Sequence, residues 1–344
     1  TRDSIIKPEK FGIDHVIHPE REAVKEIVKL VRHSYATQVM DFEGGRMQMI
    51  GIRLEESSPI IGKTVREICD EDRDFRFGIV TVMREGESHV PWSDFVFKHT
   101  DTAYFIVKKE RLNSLMYMLG KEATETNSVV ILGGSKIGRS IAEELEDELN
   151  VRLIDSNREK AEWLASNLKQ TMVLHGDGTD VEFLKSENIE EADSFITVTQ
   201  NEQTNLLSGM LAHHLGANQT VIHLSTTEYM PIVQEIGLGS VMSKNMSTVN
   251  SILKFISSSK AESPVTTFDE IDVEVVEFSP EPGSRVTTSQ LKDIKFPEDS
   301  IVGVINHHGQ LSIARGESQL TDEDTVLVFA KSNVVSKLRK LFES

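Results

Sequence analysis

The feature that most constrains the fold is an apolar run that leads into a glycine-rich turn and then into a helical pattern. Residues 128–132 read Ser-Val-Val-Ile-Leu, which is typical of a central parallel strand because both faces of such a strand are buried. The turn that follows, and that opens a predicted helix, consists of Gly133, Gly134, Ser135, Lys136, Ile137 and Gly138. This order predicts a Rossmann-type doubly wound α/β unit over about residues 129–244.

The turn itself predicts a phosphate site. Backbone N–H groups at the start of a helix, together with the helix dipole, hold a pyrophosphate well. In the GxGxxG pattern the third residue is a glycine that lets the backbone approach the phosphates, whereas this chain has Ser135. Two readings stay open, a tolerated hydroxyl or a weakened site.

An acidic residue ends the second predicted strand. Asp155 follows the predicted strand residues 151–154 (Val-Arg-Leu-Ile) and lies 17 positions beyond Gly138. An acid at this point usually binds the ribose hydroxyls and opposes the 2′-phosphate of NADP, so the sequence favours NAD or an adenine nucleotide. The alternative for a lone acid at a strand end is a helix N-cap.

Further strands are predicted at residues 171–174, 194–198, 220–224 and 240–242. Ligands of doubly wound sheets bind outside the carboxyl ends of the strands. Asp177, Thr199 and His223 occupy such ends and are therefore predicted to line the site. For each of them the alternative role is turn chemistry or a helix cap.

A second organising feature is an internal repeat at a spacing of 223–225 residues. Residues 11–18 match 236–243, and in both copies an amphipathic helix follows; residues 78–83 and 101–106 match 301–305 and 324–329. Strand runs, glycine turns and a closing helix predict a compact α+β module that is present twice.

The repeat predicts four segments. Residues 1–38 are the last strand and helix of a first nucleotide-binding domain, 39–123 a first small domain, 124–262 the Rossmann domain, and 263–344 a second small domain. On this reading the chain opens inside a domain; the alternative is a free-standing N-terminal hairpin.

The sequence contains no convincing reaction centre. A dehydrogenase needs a proton donor beside the nicotinamide, and none of the familiar hydrolase, metalloprotease or Walker motifs occurs. His307 and His308 lie at a predicted hairpin turn without a Cys, Asp or Glu at ligand spacing within it, which favours a solvated turn over a metal site. We therefore predict no catalytic residue, no metal, and a domain that senses its nucleotide.

Composition limits the classes of partner that the chain is expected to bind. A formal net charge of −18 repels nucleic acid and anionic lipid, and no apolar run approaches the length of a membrane span. The single cysteine, Cys69, excludes an intramolecular disulfide and suits a reducing cytoplasm. We expect neither nucleic-acid binding nor direct bilayer insertion.

Four stretches carry a family resemblance. They are residues 11–20 (FGIDHVIHPE), 130–138 (VILGGSKIG), 175–178 (HGDG) and 198–205 (VTQNEQTN). With them the chain resembles the TrkA family of RCK-domain (regulator of potassium conductance) proteins, whose units pair a Rossmann-type RCK_N domain with a small α+β RCK_C domain.

The resemblance implies roles for particular residues. Residues Gly133 to Gly138 would hold the phosphates, Asp155 the adenosine ribose, and Asp177 with Gly178 would lie near the adenine. Thr199, Gln200 and His223 would lie near the distal end of the nucleotide, which would be NAD or NADH, or ATP or ADP. The family often has glycine at Ser135 and arginine at His223, so the chain departs from the pattern at both positions.

The resemblance also implies a function. It is that of a non-enzymatic, cytoplasmic gating subunit, peripheral to the membrane and bound to a membrane-embedded (TrkH-like) potassium transporter subunit. Such subunits form homo-oligomers, as a dimer or a tetrameric ring, around helices such as residues 201–215 and 228–236. The alternatives from other classes are an NAD-dependent oxidoreductase and a nucleotide-free scaffold subunit.

Overall fold

The chain folds around three β-sheets, which follow one another along the sequence. The structure is a computed structural model that describes residues 13, 16–71, 77–121, 126–226, 229, 233, 238–257, 264–266 and 271–343. The first and third sheets are antiparallel and the second is parallel. The predicted class, a doubly wound parallel sheet with two small α+β modules, is thereby confirmed.

The first small module is a five-stranded antiparallel sheet of order β1-β2-β5-β3-β4. Its strands are β1 (Gln38–Phe42), β2 (Met47–Arg53), β3 (Phe77–Arg84), β4 (Glu87–His89) and β5 (Thr102–Lys108). Two short helices, α2 (Val65–Glu71) and α3 (Leu112–Met118), accompany it.

The parallel sheet has six strands in the order β11-β10-β9-β6-β7-β8. They are β6 (Ser128–Leu132), β7 (Asn150–Asp155), β8 (Met172–His175), β9 (Ser194–Thr197), β10 (Gln219–His223) and β11 (Ser240–Met242). The helices are α4 (Lys136–Leu145), α5 (Arg158–Asn167), α6 (Val181–Ser186), α7 (Glu202–Leu215) and α8 (Lys244–Ser257). The chain runs outward from β6 to β8 and then returns to β9 on the other side of β6. The strand order therefore reverses between β6 and β9, and a crevice is expected at this point.

The second small module repeats the first strand for strand. Its order, β12-β13-β16-β14-β15, is the order of the first module with every strand replaced by its counterpart. The elements are β12 (Pro264–Thr266), β13 (Glu274–Phe278), β14 (Ser300–His307), β15 (Gln310–Ile313), β16 (Asp324–Ala330) and the closing helix α9 (Val335–Phe342). The α+β repeat expected from the sequence is thus present in the fold.

The two small modules share an apolar core. Phe42 and Tyr104 of the first module belong to the same buried cluster as Val275 and Phe329 of the second. The rings of Phe42 and Phe329 meet edge to face with their centroids 6.1 Å apart. Polar contacts add to this packing, because Arg46 Nη1 donates to the carbonyl of Gly309 at 2.8 Å.

Helix α1 (Pro19–Arg32) is the amphipathic helix expected near the start of the chain. Its apolar residues Ala23, Ile27 and Val31 are fully buried and pack with the core of the parallel sheet. The helix lies against α4 and α8. Half of the strand predicted at residues 11–18 lies outside the described residues. The assignment of residues 1–38 to a first nucleotide domain and the other three domain boundaries stay predictions. No helix in the described part of the chain is long and apolar enough to cross a membrane.

Candidate functional site

Close packing requires glycine at two positions of the turn that follows β6. Gly133 has a φ of +109°, and a Cβ atom there would lie 2.8 Å from the backbone nitrogen of Thr199. A Cβ at Gly138 would lie 1.9 Å from the carbonyl oxygen of Gly133. The turn therefore packs directly against the end of β9 and against the first turn of α4, and larger residues are excluded at both positions.

Ser135 fits the turn without strain. It is the N-cap residue of α4 in an extended conformation, with φ −60° and ψ 176°. Its hydroxyl accepts from the Gly138 N–H at 3.4 Å and donates to the carbonyl of Val198 at 3.1 Å. Serine is a preferred N-cap residue, so this departure from the glycine pattern stabilises the helix start.

Three backbone amides at this helix start are free. Within the described part of the chain, no hydrogen bond is donated by the backbone N–H groups of Ser135, Lys136 and Ile137. They stand at the carboxyl end of β6 and at the positive end of the ten-residue helix α4. Such a group of amides is suited to bind an anion.

Asp155 is buried at the end of β7 and braces the turn. Its Oδ2 accepts from the Gly134 N–H at 2.8 Å and lies 2.7 Å from Lys160 Nζ, while Oδ1 accepts from the Asn157 N–H at 2.9 Å. Burial by itself would raise the pKa of Asp155, but the hydrogen bonds from Lys160, Asn157 and Gly134 leave that pKa below its ordinary value. Asp155 is thus ionised and fixed beside the second glycine.

The N-cap alternative for Asp155 does not hold in the fold. The N-cap of α5 is Asn157, whose side chain accepts from the Lys160 N–H at 2.9 Å. Lys160, the ion-pair partner of Asp155, was not identified from the sequence. The available signal was a lysine one helical turn after the strand end.

The loop after β8 lies against the same edge of the sheet. A Cβ at Gly178 would lie 2.3 Å from Leu132 Cδ2, so the loop packs on the end of β6. Asp177 Oδ1 accepts from the N–H and the hydroxyl of Thr179, at 2.9 and 2.8 Å. These two bonds lower the pKa of Asp177, although burial opposes them. The exposed Asp177 carboxylate therefore stabilises its own turn, which is the alternative role considered for this residue. Its position near the adenine stays a prediction.

Asn205 connects the ends of β9 and β10. Its buried side chain accepts from the Thr199 N–H at 2.9 Å and donates to the carbonyl of His223 at 3.0 Å. The fold therefore joins Thr199 and His223 through one residue to which sequence analysis gave no role. Gln200 is exposed beside them.

His223 is a neutral imidazole at the end of β10. Burial, and then the charge of Lys244, lower the pKa of His223 below its ordinary value, with Glu202 opposing them. Its Nε2 atom is buried and has no hydrogen-bond partner among the described residues. A neutral ring replaces the positive charge that an arginine would supply there.

Helix α1 reaches the same site. Glu20 Oε2 lies 3.8 Å from Lys136 Nζ. The hydrogen bond from its own backbone N–H lowers the pKa of Glu20 most, burial opposes this, and the charges of Lys136, Lys244 and His18 lower the pKa further. The start of the first-repeat helix therefore stands beside the glycine-rich turn of the second. This proximity was not predictable from the sequence.

The site lies apart from a cavity elsewhere in the described structure. A cavity of about 650 Å³ lies between α1, β1, α8 and the second small module, and none of the twelve predicted site residues lines it. Gly133–Gly138, Asp155, Thr199 and His223 instead follow one another along the carboxyl edge of the sheet. We take that edge as the candidate site because the steric, charge and amide features converge on it.

Two family models match the chain. The TrkA-N domain model matches residues 129–244, and the TrkA-C domain model matches residues 275–343. Their first boundaries fall at β6 and β13, so together the two domains contain the parallel sheet and most of the second small module.

Curated relatives match nearly the whole chain. The Trk system potassium uptake protein TrkA homolog 2 of Methanosarcina mazei is 28% identical over 336 residues, which are 97% of this chain and 74% of the relative. The TrkA homolog of Archaeoglobus fulgidus is 28% identical over 98% of this chain and 76% of its own length. TrkA of Vibrio alginolyticus is 26% identical over 99% of this chain and 75% of its own length.

A solved structure shares the fold. The GsuK RCK domain superposes with a TM-score of 0.51 at 18% identity, covering 97% of this chain and 71% of that one. At this identity the likeness concerns the fold alone. The domain models and the curated relatives agree: the chain contains a TrkA-N domain followed by a TrkA-C domain, and over nearly its whole length it is similar to proteins named TrkA.

Proposed function

We propose that this chain is a nucleotide-sensing, non-enzymatic regulatory subunit of a Trk-type potassium uptake system. The proposal depends on the three amides at the start of α4, which have no hydrogen-bond acceptor among the described residues. They lie beside an ionised Asp155, at the point where the strand order reverses. The relatives named Trk system potassium uptake protein TrkA supply the transport context.

The residues at the site fit an adenine nucleotide with two or more phosphates. The N–H groups of Ser135, Lys136 and Ile137 would bind the phosphate oxygens, and Lys136 would add a positive charge. Asp155 would accept from the ribose hydroxyls, and its negative charge would oppose a 2′-phosphate. NAD, NADH, ATP and ADP are therefore the proposed ligands, in preference to NADP.

The other predicted residues would surround the two ends of the nucleotide. Asp177 and Gly178 would lie toward the adenine, and Thr199, Gln200 and His223 toward the distal end. The neutral ring of His223 gives no charge to a terminal phosphate. Its buried Nε2 has no partner among the described residues and could form a hydrogen bond with the ligand. This arrangement favours a polar, weakly charged distal group over a terminal phosphate.

Regulation would pass through the transporter partner. We propose a homo-oligomer, a dimer or a tetrameric ring, in the cytoplasm at the inner face of the membrane, bound to a membrane-embedded potassium transporter subunit. Leu207 and Met210 on α7 are exposed apolar residues that suit an oligomer contact. The second helix expected there, residues 228–236, lies mostly outside the described residues.

The free energy that one bound nucleotide can supply limits how the assembly could switch. A nucleotide can shift an equilibrium between two assembly shapes only by the difference in its affinity for them. A tenfold preference supplies about 1.4 kcal/mol per site, so several coupled sites are needed for a firm switch.

Calorimetric titration of the tag-free chain with ATP, ADP, NAD and NADH tests the proposal. The matched variant is Gly138→Ala, which closes the turn, and Gly316→Ala is the control because its Cβ would meet nothing closer than 3.2 Å. We expect one-site binding of at least one nucleotide by the wild type and by Gly316→Ala, and its loss in Gly138→Ala. Absence of all binding would favour the nucleotide-free scaffold, and oxidation or reduction of a nicotinamide with small substrates would favour the oxidoreductase.

A further inference from the structure

A second cluster of ligand-type side chains stands at the hairpin turn of the second small module. His307 ends β14, and His308 and Gly309 form the two-residue turn to β15, with φ of +49° and +86°. Glu323 immediately precedes β16, the strand that pairs with β14. The sequence alone offered no acidic partner within the turn, but strand pairing brings one beside it.

The three side chains are close enough to share one ion. One ligand atom from each of His307, His308 and Glu323 lies within 4.8 Å of the other two. His308 Nε2 and Glu323 Oε2 are 3.1 Å apart, and the two imidazole rings meet with centroids 4.6 Å apart. All three residues are exposed, so an ion from solution has direct access to them.

A buried carboxylate orients one of the histidines. Asp324 is only 4% exposed, and its Oδ1 lies 2.8 Å from His307 Nδ1. Its Oδ2 accepts from the N–H and the hydroxyl of Thr321, at 2.6 and 3.0 Å, so the carboxylate cannot swing away. When Nδ1 donates to Asp324, the lone pair of His307 lies on Nε2, as in the carboxylate–histidine pairs that stand behind metal ligands.

We propose that His307, His308 and Glu323 form a binding site for a divalent transition-metal ion of the zinc type. Two imidazoles and one carboxylate are a ligand set that Zn²⁺ accepts, with water in the remaining position. Ca²⁺ and Mg²⁺ prefer oxygen ligands only, so the two histidines disfavour them. The site is independent of the nucleotide pocket and of the function proposed for it.

The ion would brace a contact between the two small modules. Asn306, next to His307, donates from Nδ2 to Glu43 Oε2 of the first module at 3.1 Å, and Gly309 accepts from Arg46. A metal that ties the turn to the start of β16 would hold these two contacts in place. We therefore expect metal binding to raise the thermal stability of the chain.

Zinc titration of chelator-treated, tag-free protein tests the site. The variants are His307→Gln, His308→Gln and Glu323→Gln, and the control is His213→Gln/His214→Gln, which removes the other adjacent and exposed histidine pair. We expect one Zn²⁺ per chain, an affinity at least about tenfold weaker in each site variant, and no change in the control. Substitution with Co²⁺ should give visible absorption that disappears in the His307→Gln and His308→Gln variants.

Two results would overturn the proposal. One is absence of zinc binding by the wild type at up to millimolar concentration. The other is zinc binding by all three site variants with the stoichiometry and affinity of the wild type. That result would show that histidines elsewhere in the chain bind the zinc. Thermal unfolding of the metal-free variants checks that they are folded, so that lost binding reports the site.

Discussion

At the scale of single residues, Asp155 has two tasks in the site. It already accepts from Gly134 and pairs with Lys160, and the proposed nucleotide would add its ribose hydroxyls. We predict that Asp155→Ala weakens the binding of adenosine ligands by about 1–3 kcal/mol, since a charge-assisted hydrogen bond in a buried site is lost. Calorimetry measures this change. Glu159→Gln, an exposed change on helix α5, which follows Asp155 in the chain, is the control. Wild-type affinity in Asp155→Ala would remove the ribose assignment.

Glu277 gives a residue-scale prediction that depends on pH. Burial and then the nearby Glu43 raise its pKa above the ordinary value. A carboxyl whose folded pKa is raised costs stability when it is ionised, and that cost appears as the pH rises above the unfolded pKa of about 4.3. Glu277→Gln should therefore raise the Tm at neutral pH.

The gain from Glu277→Gln should vanish as the pH falls below about 4, where the wild-type carboxyl is protonated in both states. Glu298→Gln removes the same charge from an exposed position of the same module and should leave the Tm nearly unchanged. An equal Tm for Glu277→Gln and wild type at neutral pH would contradict the account of this half-buried carboxyl.

Some residues of the site are predictable from local sequence, and others are not. Gly133, Gly138 and Asp155 were predictable because strand, turn and helix chemistry fixes them locally. Lys160 had a local signal, a lysine shortly after the strand end, that was not used. Asn205 and Glu20 were not predictable, because each contacts a partner that only the tertiary fold brings near. Glu323 is the same case at the hairpin, where strand pairing places it next to His308.

At the scale of elements, the amphipathic pattern of α1 predicts a helix but does not predict which surface it packs against. The spacing of Val24, Ile27 and Val31 predicted a helix with one buried face, and the structure has it. Which surface covers that face was not predictable, because any apolar partner satisfies the same pattern. In the fold the partner is the parallel sheet of the second half, together with α4 and α8.

A substitution in α1 tests this packing. Ile27 is fully buried, so Ile27→Ala should cost about 2–5 kcal/mol of stability through lost burial and the cavity left behind. Urea denaturation monitored on the whole chain measures the loss. Lys25→Ala, on the exposed face of the same helix, should change the free energy of unfolding by less than about 0.5 kcal/mol. A similar small effect of Ile27→Ala would mean that α1 is not part of the core.

The glycine turn gives a second prediction at this scale. A methyl group at Gly138 would meet the backbone carbonyl of Gly133, which has no rotamer by which to move aside. Gly138→Ala should therefore destabilise the chain by about 1–3 kcal/mol as an overpacked substitution. Its Tm, compared with that of Gly316→Ala, measures the effect; an unchanged Tm would show that the turn can relax.

At the scale of the whole molecule, duplication explains both what the sequence revealed and what it hid. The matching sequences at residues 78–83 and 301–305 predicted two copies of one module. The two antiparallel sheets have equivalent strand orders, which agrees with this prediction. The packing of the two copies on each other was not visible, because Phe42 and Phe329 look like ordinary core residues in each separate module.

Hydrogen exchange at the glycine-rich turn tests the central claim most directly. The N–H groups of Ser135, Lys136 and Ile137 donate no hydrogen bond within the described structure and should exchange fast in the free chain. Saturation with the nucleotide that binds in calorimetry should slow their exchange strongly and leave the hairpin at residues 306–309 unchanged. Nucleotide binding without protection at residues 135–137, or with protection only elsewhere, would contradict the account.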